Sequence, residues 1–156
     1  MTPLFKKLNL GDIDTIVVLN PPQSMESELE QLVGVRVQRK ATSRPTAFAI
    51  GFAVTQQELV KVSAKLAQAT AGDAIVWVAY PKKSSKRYAC EFNRDSGDWS
   101  VLGAAGFEPV RQVAIDDDWS ALRFRRTEFI QSLTRKNASA ISAAGKRRTE
   151  RPSNES

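Results

Sequence analysis

The sequence predicts an α/β domain with a mainly parallel sheet, flanking helices and a C-terminal antiparallel hairpin, and three observations predict it. Apolar runs rich in β-branched residues alternate with segments of helical periodicity, which gives strands and connecting helices in turn. Two of those runs, Ala47 to Val54 and Ala74 to Tyr80, are apolar on both faces, as a strand covered on both sides must be. The last two strand-like segments are separated by three aspartates, which suit a tight turn.

Thr2-Pro3 reads as an N-cap followed by proline at the first helical position, with Leu4, Phe5 and Leu8 on one face and Lys6 and Lys7 outside. Ile13 to Leu19 is a short buried strand. Ser24 can cap a helix with Glu26 and Glu28 in its first turn, Met25, Leu29 and Leu32 on one face, and Gly34 to close it. Val35 to Arg39 alternates apolar and polar residues and reads as a strand with one solvated face. In the third strand Phe48, Ile50, Phe52 and Val54 point one way, and Ala47, Ala49, Gly51 and Ala53 the other. Thr55-x-x-Glu58 is a capping box for a helix with Leu59, Val62, Leu66 and Ala69 buried, ending at Gly72. Ala74 to Tyr80 is the fourth strand, and a short helix around Asp95 to Ala105 ends at Gly106. Pro109 to Ile115 and Trp119 to Arg126 complete the hairpin. The connection from Lys40 to Pro45 is too short for a crossover helix, which leaves an extended crossover or an antiparallel pairing of the strands it joins.

One domain over residues 1–134 accounts for these elements, and residues 135–156 are expected to be a disordered basic tail, because they hold almost no large apolar residue. The net charge is +6, half of it in the last thirty residues. With one cysteine, no apolar leader and no run long enough to span a bilayer, a cytoplasmic location and no membrane contact are expected. The chain has no histidine, which excludes a Ser-His or Cys-His pair, an imidazole proton shuttle and a histidine-based zinc site.

Three stretches carry a resemblance: Thr2-Pro3-Leu4-Phe5-Lys6-Lys7-Leu8, Trp77-Val78-Ala79-Tyr80-Pro81-Lys82, and Ile115-Asp116-Asp117-Asp118-Trp119-Ser120-Ala121-Leu122-Arg123. Over about residues 2–126 the chain resembles a bacterial domain-of-unknown-function family whose members look like shortened class I methyltransferases. The resemblance implies the strand order 2-1-3-4-6-5, with the switch point between the first and third strands.

In such sheets ligands bind beyond the carboxyl ends of the strands at the switch point. The loop there, Asn20-Pro21-Pro22-Gln23-Ser24, holds no glycine, and its prolines remove two donors. The second strand ends in Arg39-Lys40, where a methyltransferase presents an acid to the ribose hydroxyls. Both departures count against S-adenosylmethionine binding, so no cofactor and no catalytic residue is expected, and the balance leans away from an enzyme. Cys90 reads as an inert, part-buried thiol, Asp116 to Asp118 as turn residues, and Trp119 as core. The candidate ligand site is Lys82, Lys83, Ser84, Ser85, Lys86 and Arg87, four cations and two hydroxyls at the carboxyl end of the fourth strand, suited to a phosphate or other anion. Arg123, Arg125 and Arg126 extend a basic edge. The expected function is a non-catalytic binding or regulatory module. The alternatives are a nucleic-acid- or phosphate-ligand-binding protein, acting through the basic loop and tail, and a divergent methyltransferase.

Overall fold

A computed structural model describes residues 2–130; the predicted tail, 135–156, lies outside the described residues. The strands are β1 (Thr15–Leu19), β2 (Arg36–Gln38), β3 (Thr46–Phe52), β4 (Thr70–Pro81), β5 (Phe107–Ala114) and β6 (Trp119–Arg126). They form one six-stranded sheet in the order β2-β1-β3-β4-β6-β5, as the resemblance implies. β2, β1, β3 and β4 run parallel, and β6 pairs antiparallel with both β4 and β5. The helices are α1 (Pro3–Lys7), α2 (Gln23–Glu30), α3 (Gln56–Ala69) and α4 (Ser100–Ala104).

The crossover after β2 is extended, not antiparallel, and the register explains how so few residues suffice. β2 is only three residues long, and its last residue, Gln38, stands level with Val17, which on its other side is level with Ala49 of β3. The chain must therefore drop only about 10 Å and cross two strand spacings of about 4.8 Å, well within reach of the intervening residues. Ala41 of this crossover packs on the same core as α3.

Each face of the sheet has its own core. On one, Leu4 and Phe5 of α1, Leu8 just after it, and Met25 and Leu29 of α2 cover Ile16, Val18, Phe48, Ile50, Phe52, Trp77 and Trp119. On the other, Leu59, Val62, Leu66 and Leu102 of α3 and α4 cover Val17, Ala49, Val76, Val78, Leu122 and Phe124. The large and small residues of β3 divide between these cores as their alternation requires. On the small side a Cβ at Gly51 would collide with Val62, so the glycine sets how closely α3 approaches.

Several boundaries differ from the sequence expectation. α2 starts at Gln23, with Pro22 in place of Ser24 at the cap and no side-chain cap bond. Proline fits this position because its fixed φ is that of the extended residue preceding the helix. β4 begins at Thr70, not Ala74, because α3 passes into it without a loop. Gly72 does not end the helix; with φ of 60° it serves the irregular start of β4, where Thr46 pairs with Thr70 but Phe48 with Ile75. α4 keeps only Ser100–Ala104, since the residues before it turn around Asn93, whose side-chain oxygen accepts from the Asp95 and Ser96 amides.

Candidate functional site

The carboxyl edge of the sheet gathers the ends of β1, β2, β3 and β4, the β5–β6 turn and a strap of chain, Tyr88 to Phe92. Asn20 leaves β1 with φ of 55°, in the left-handed region, where asparagine substitutes for glycine. Its side-chain amide donates to the Phe52 carbonyl at 2.9 Å and to the Glu58 carboxylate at 2.8 Å, spanning the switch point between β1 and β3. Glu58 also accepts from the Val54 amide at 2.9 Å and the Thr55 amide at 3.1 Å, completing the predicted capping box. Burial alone would raise the Glu58 pKa, but the bonds from Val54, Asn20 and Thr55 outweigh it and hold it below the ordinary value. At the end of β2, Arg39 grips both carboxylate oxygens of Glu26 at 2.7 and 2.9 Å. The strand thus ends in a cation, and α2 brings an acid beside it.

The strap crosses from one core to the other. Tyr88 packs edge-on against Trp119 with ring centroids 5.0 Å apart, and Phe92 packs against Tyr80 and Trp99. Between them the Glu91 amide donates to the Val54 carbonyl, and the Glu91 carboxylate accepts from the Gln56 amide at the start of α3. Beyond the strap, over β4, β6 and β5, lies a cavity of about 530 Å³ lined by Tyr80, Lys82, Lys83, Arg94, Gln112 and Ser120, among others. The Tyr80 hydroxyl accepts from the Gln112 amide at 3.1 Å, and burial raises its pKa, so it holds its proton at neutral pH. Cys90 also lines the cavity, and burial pushes its thiol up too, which leaves little thiolate.

The six residues of the predicted loop separate into two groups. Lys82 and Lys83 line the cavity. Ser85 faces the hairpin turn: its hydroxyl donates to Asp118 at 2.9 Å and accepts from the Arg87 and Tyr88 amides. Arg87 stands 3.9 Å from the same carboxylate. Ser84 and Lys86 are exposed and not part of the cavity lining. The aspartates form a turn, in which Asp116 accepts from the Asp118 and Trp119 amides, each at 2.8 Å. Trp119 is core, edge-on to Phe52 at 5.3 Å. Sequence reasoning placed Asn20 in the switch-point loop but missed its left-handed turn and its bonds, and it missed Glu58 and Glu26 as residues of this edge; the signals were an asparagine directly after a buried strand and the glutamate of the capping box.

No protein-family model matches the chain, and no curated protein matches it. Solved structures do resemble it. N-methyltransferase NodS from Bradyrhizobium japonicum WM9 aligns with TM-score 0.51 and 10% identity, over 79% of this chain and 92% of that one. A SAM dependent methyltransferase from Aquifex aeolicus aligns with TM-score 0.52 and 11% identity, over 80% and 88%. Magnesium protoporphyrin IX methyltransferase from Synechocystis PCC 6803, solved with bound SAM, aligns with TM-score 0.51 and 14% identity, over 80% and 74%. The fold is methyltransferase-like. At these identities the likeness shows the fold, a mostly parallel sheet closed by an antiparallel hairpin. It also corrects the expectation of a non-catalytic module, since these neighbours are all methyltransferases. Among the described residues no helix is long and apolar enough to cross a membrane.

Proposed function

We propose that this chain is a divergent S-adenosylmethionine-dependent methyltransferase that takes an anionic acceptor. The observation that carries the reading is the carboxyl edge at the switch point, where Asn20, Glu58 and Glu26 supply what the sequence lacks in glycines and in an acid on β2. Asn20 makes the left-handed turn without glycine. The amides of Gln23 and Ser24 open α2, where helix donors have no partner within the helix. Glu26 offers a carboxylate at the end of β2 for ribose hydroxyls, and Glu58, ionised at neutral pH, an acceptor for an ammonium group. Bound S-adenosylmethionine supplies an electrophilic methyl group. The cavity across the strap would hold the acceptor: Lys82, Lys83 and Arg94 attract an anion, and protonated Tyr80 donates a hydrogen bond to it. The finer assignment, to the bacterial domain-of-unknown-function family, rests on three motifs that pack together. Thr2 caps α1, Trp77 donates to the Leu8 carbonyl at 2.9 Å, and Trp119 lies in the same core.

Calorimetry with S-adenosylmethionine tests the reading. A dissociation constant of about 10 μM, or ~7 kcal/mol, is expected, weakened about tenfold in Glu26→Gln. The absence of binding at millimolar cofactor would sink it. Lys82→Ala with Lys83→Ala should leave cofactor binding unchanged and reduce turnover of anionic acceptors.

A further inference from the structure

We infer that the cavity at the carboxyl edge takes a nucleoside monophosphate, with Tyr80 and Gln112 reading the edge of its base and Lys82 and Lys83 holding its phosphate. The nucleotide is then the acceptor of the proposed reaction, a role that rests on the methyltransferase reading. The hydrogen bonds of the cavity floor decide the ligand's chemistry. The Ser120 hydroxyl has one proton, which goes to the Val113 carbonyl at 3.3 Å. Ser120 must therefore accept from Gln112, and this fixes the Gln112 amide with Nε2 inward. Both protons of that nitrogen are used, one on Ser120 at 3.0 Å and one on the Tyr80 hydroxyl oxygen at 3.1 Å. Two groups are left over. The Tyr80 hydroxyl accepts from Gln112 and keeps its own proton, which has no acceptor among the described residues. The Gln112 carbonyl oxygen has no donor among them.

Tyr80 is only 4% exposed, and its hydroxyl belongs to the cavity: Arg94, Cys90 and Asp95 of the lining all lie close enough to act on its ionisation. A buried hydroxyl with an unused proton is costly to leave unmet. The cavity thus offers a donor and an acceptor side by side, since the nitrogen bonded to Tyr80 and the free oxygen of Gln112 are joined through one carbon. A phosphate or carboxylate set against this pair would take the Tyr80 proton but be repelled by the Gln112 oxygen. A nucleobase satisfies both, because its Watson–Crick edge carries an acceptor beside an N–H donor. Lys82 and Lys83 of the same lining supply cations for the phosphate. Of the acids in the lining, Glu91 is engaged by the Gln56 amide, and Asp95 is an acceptor of the kind that ribose hydroxyls take. A volume of about 530 Å³ suits a ligand of this size.

The test is calorimetry on the full chain at physiological ionic strength, with millimolar S-adenosylhomocysteine present to occupy the cofactor's place. AMP, GMP, CMP and UMP are titrated in turn, with ribose 5-phosphate as the probe that keeps the phosphate and lacks the base. At least one nucleotide should bind about tenfold more tightly than ribose 5-phosphate. Tyr80→Phe and Gln112→Met keep the size of each side chain, and unaltered melting temperatures verify their folding. Each should remove most of the nucleotide's advantage and leave ribose 5-phosphate binding unchanged. Lys82→Ala with Lys83→Ala should weaken nucleotide and ribose 5-phosphate alike. Equal affinity for all five probes, or nucleotide binding untouched in both Tyr80→Phe and Gln112→Met, would overturn the site. Cofactor binding without nucleotide binding also overturns it, and leaves the methyltransferase reading standing. Nucleotide binding that depends on Tyr80 and Gln112, without cofactor binding, supports the site and overturns the methyltransferase reading alone.

Discussion

At Gly51 the absence of a single carbon decides how α3 sits on β3. Adding it, as Gly51→Ala, drives a methyl into Val62 and should cost about 1–3 kcal/mol, measured as a lower urea midpoint at unchanged slope. Opposite it, Phe48 and Phe52 fill the other core, and Phe48→Ala should cost about 3–5 kcal/mol. Glu58 predicts a pH effect. Its folded pKa lies below its unfolded one, so its contribution is present above the unfolded value and is lost as pH falls through the folded value. Thermal melts from pH 6 down to pH 3 should therefore converge for wild type and Glu58→Gln, with the variant about 1 kcal/mol weaker at neutral pH. The sorting of residues 47–54 into two faces was legible because the strand period is two and purely local. Asn20 was not, because asparagine visits both left- and right-handed conformations and only the finished turn decides between them. The Arg39–Glu26 pair was hidden for another reason: it joins residues on different elements, and no local pattern encodes that meeting.

Elements here are held at their ends by single side chains, and the β5–β6 turn shows how. Asp118 ties the loop after β4 to the hairpin through Ser85, while its carbonyl accepts from the Lys82 amide. Asp118→Ala should cost about 1 kcal/mol and speed hydrogen exchange at the Arg87 and Tyr88 amides, which bond to the Ser85 hydroxyl. Unchanged exchange at those two amides would show that the loop stands without the turn. Reading Lys82 to Arg87 as one anion site treated a loop as a list of donors. The fold divides it, because the Ser85 hydroxyl has given its one proton to a carboxylate and has none left to donate to an anion. The helix boundaries failed for a related reason. A proline replaced the expected serine cap on α2, and Gly72, a normal helix stop, serves a β-bulge once α3 runs directly into β4.

Across the whole molecule, the strand order followed from resemblance, while the register of β2 and the strap over the carboxyl edge came only with the structure. If S-adenosylmethionine binds the native state alone, saturating cofactor at 100 times its dissociation constant should add about 2.7 kcal/mol and raise the melting temperature accordingly. The extended crossover has a further consequence, for synthesis. β1 lies between two strands that both follow it in the chain, β2 at Arg36–Gln38 and β3 at Thr46–Phe52. A nascent chain emerging from its N-terminus therefore carries Ile16, Val17, Val18 and Leu19 with both strand edges open until β2 has been made, and one edge open until β3 follows. During that interval the most buried strand of the finished protein is its most aggregation-prone segment, and chains terminated before Thr46 should precipitate where chains of full length stay in solution.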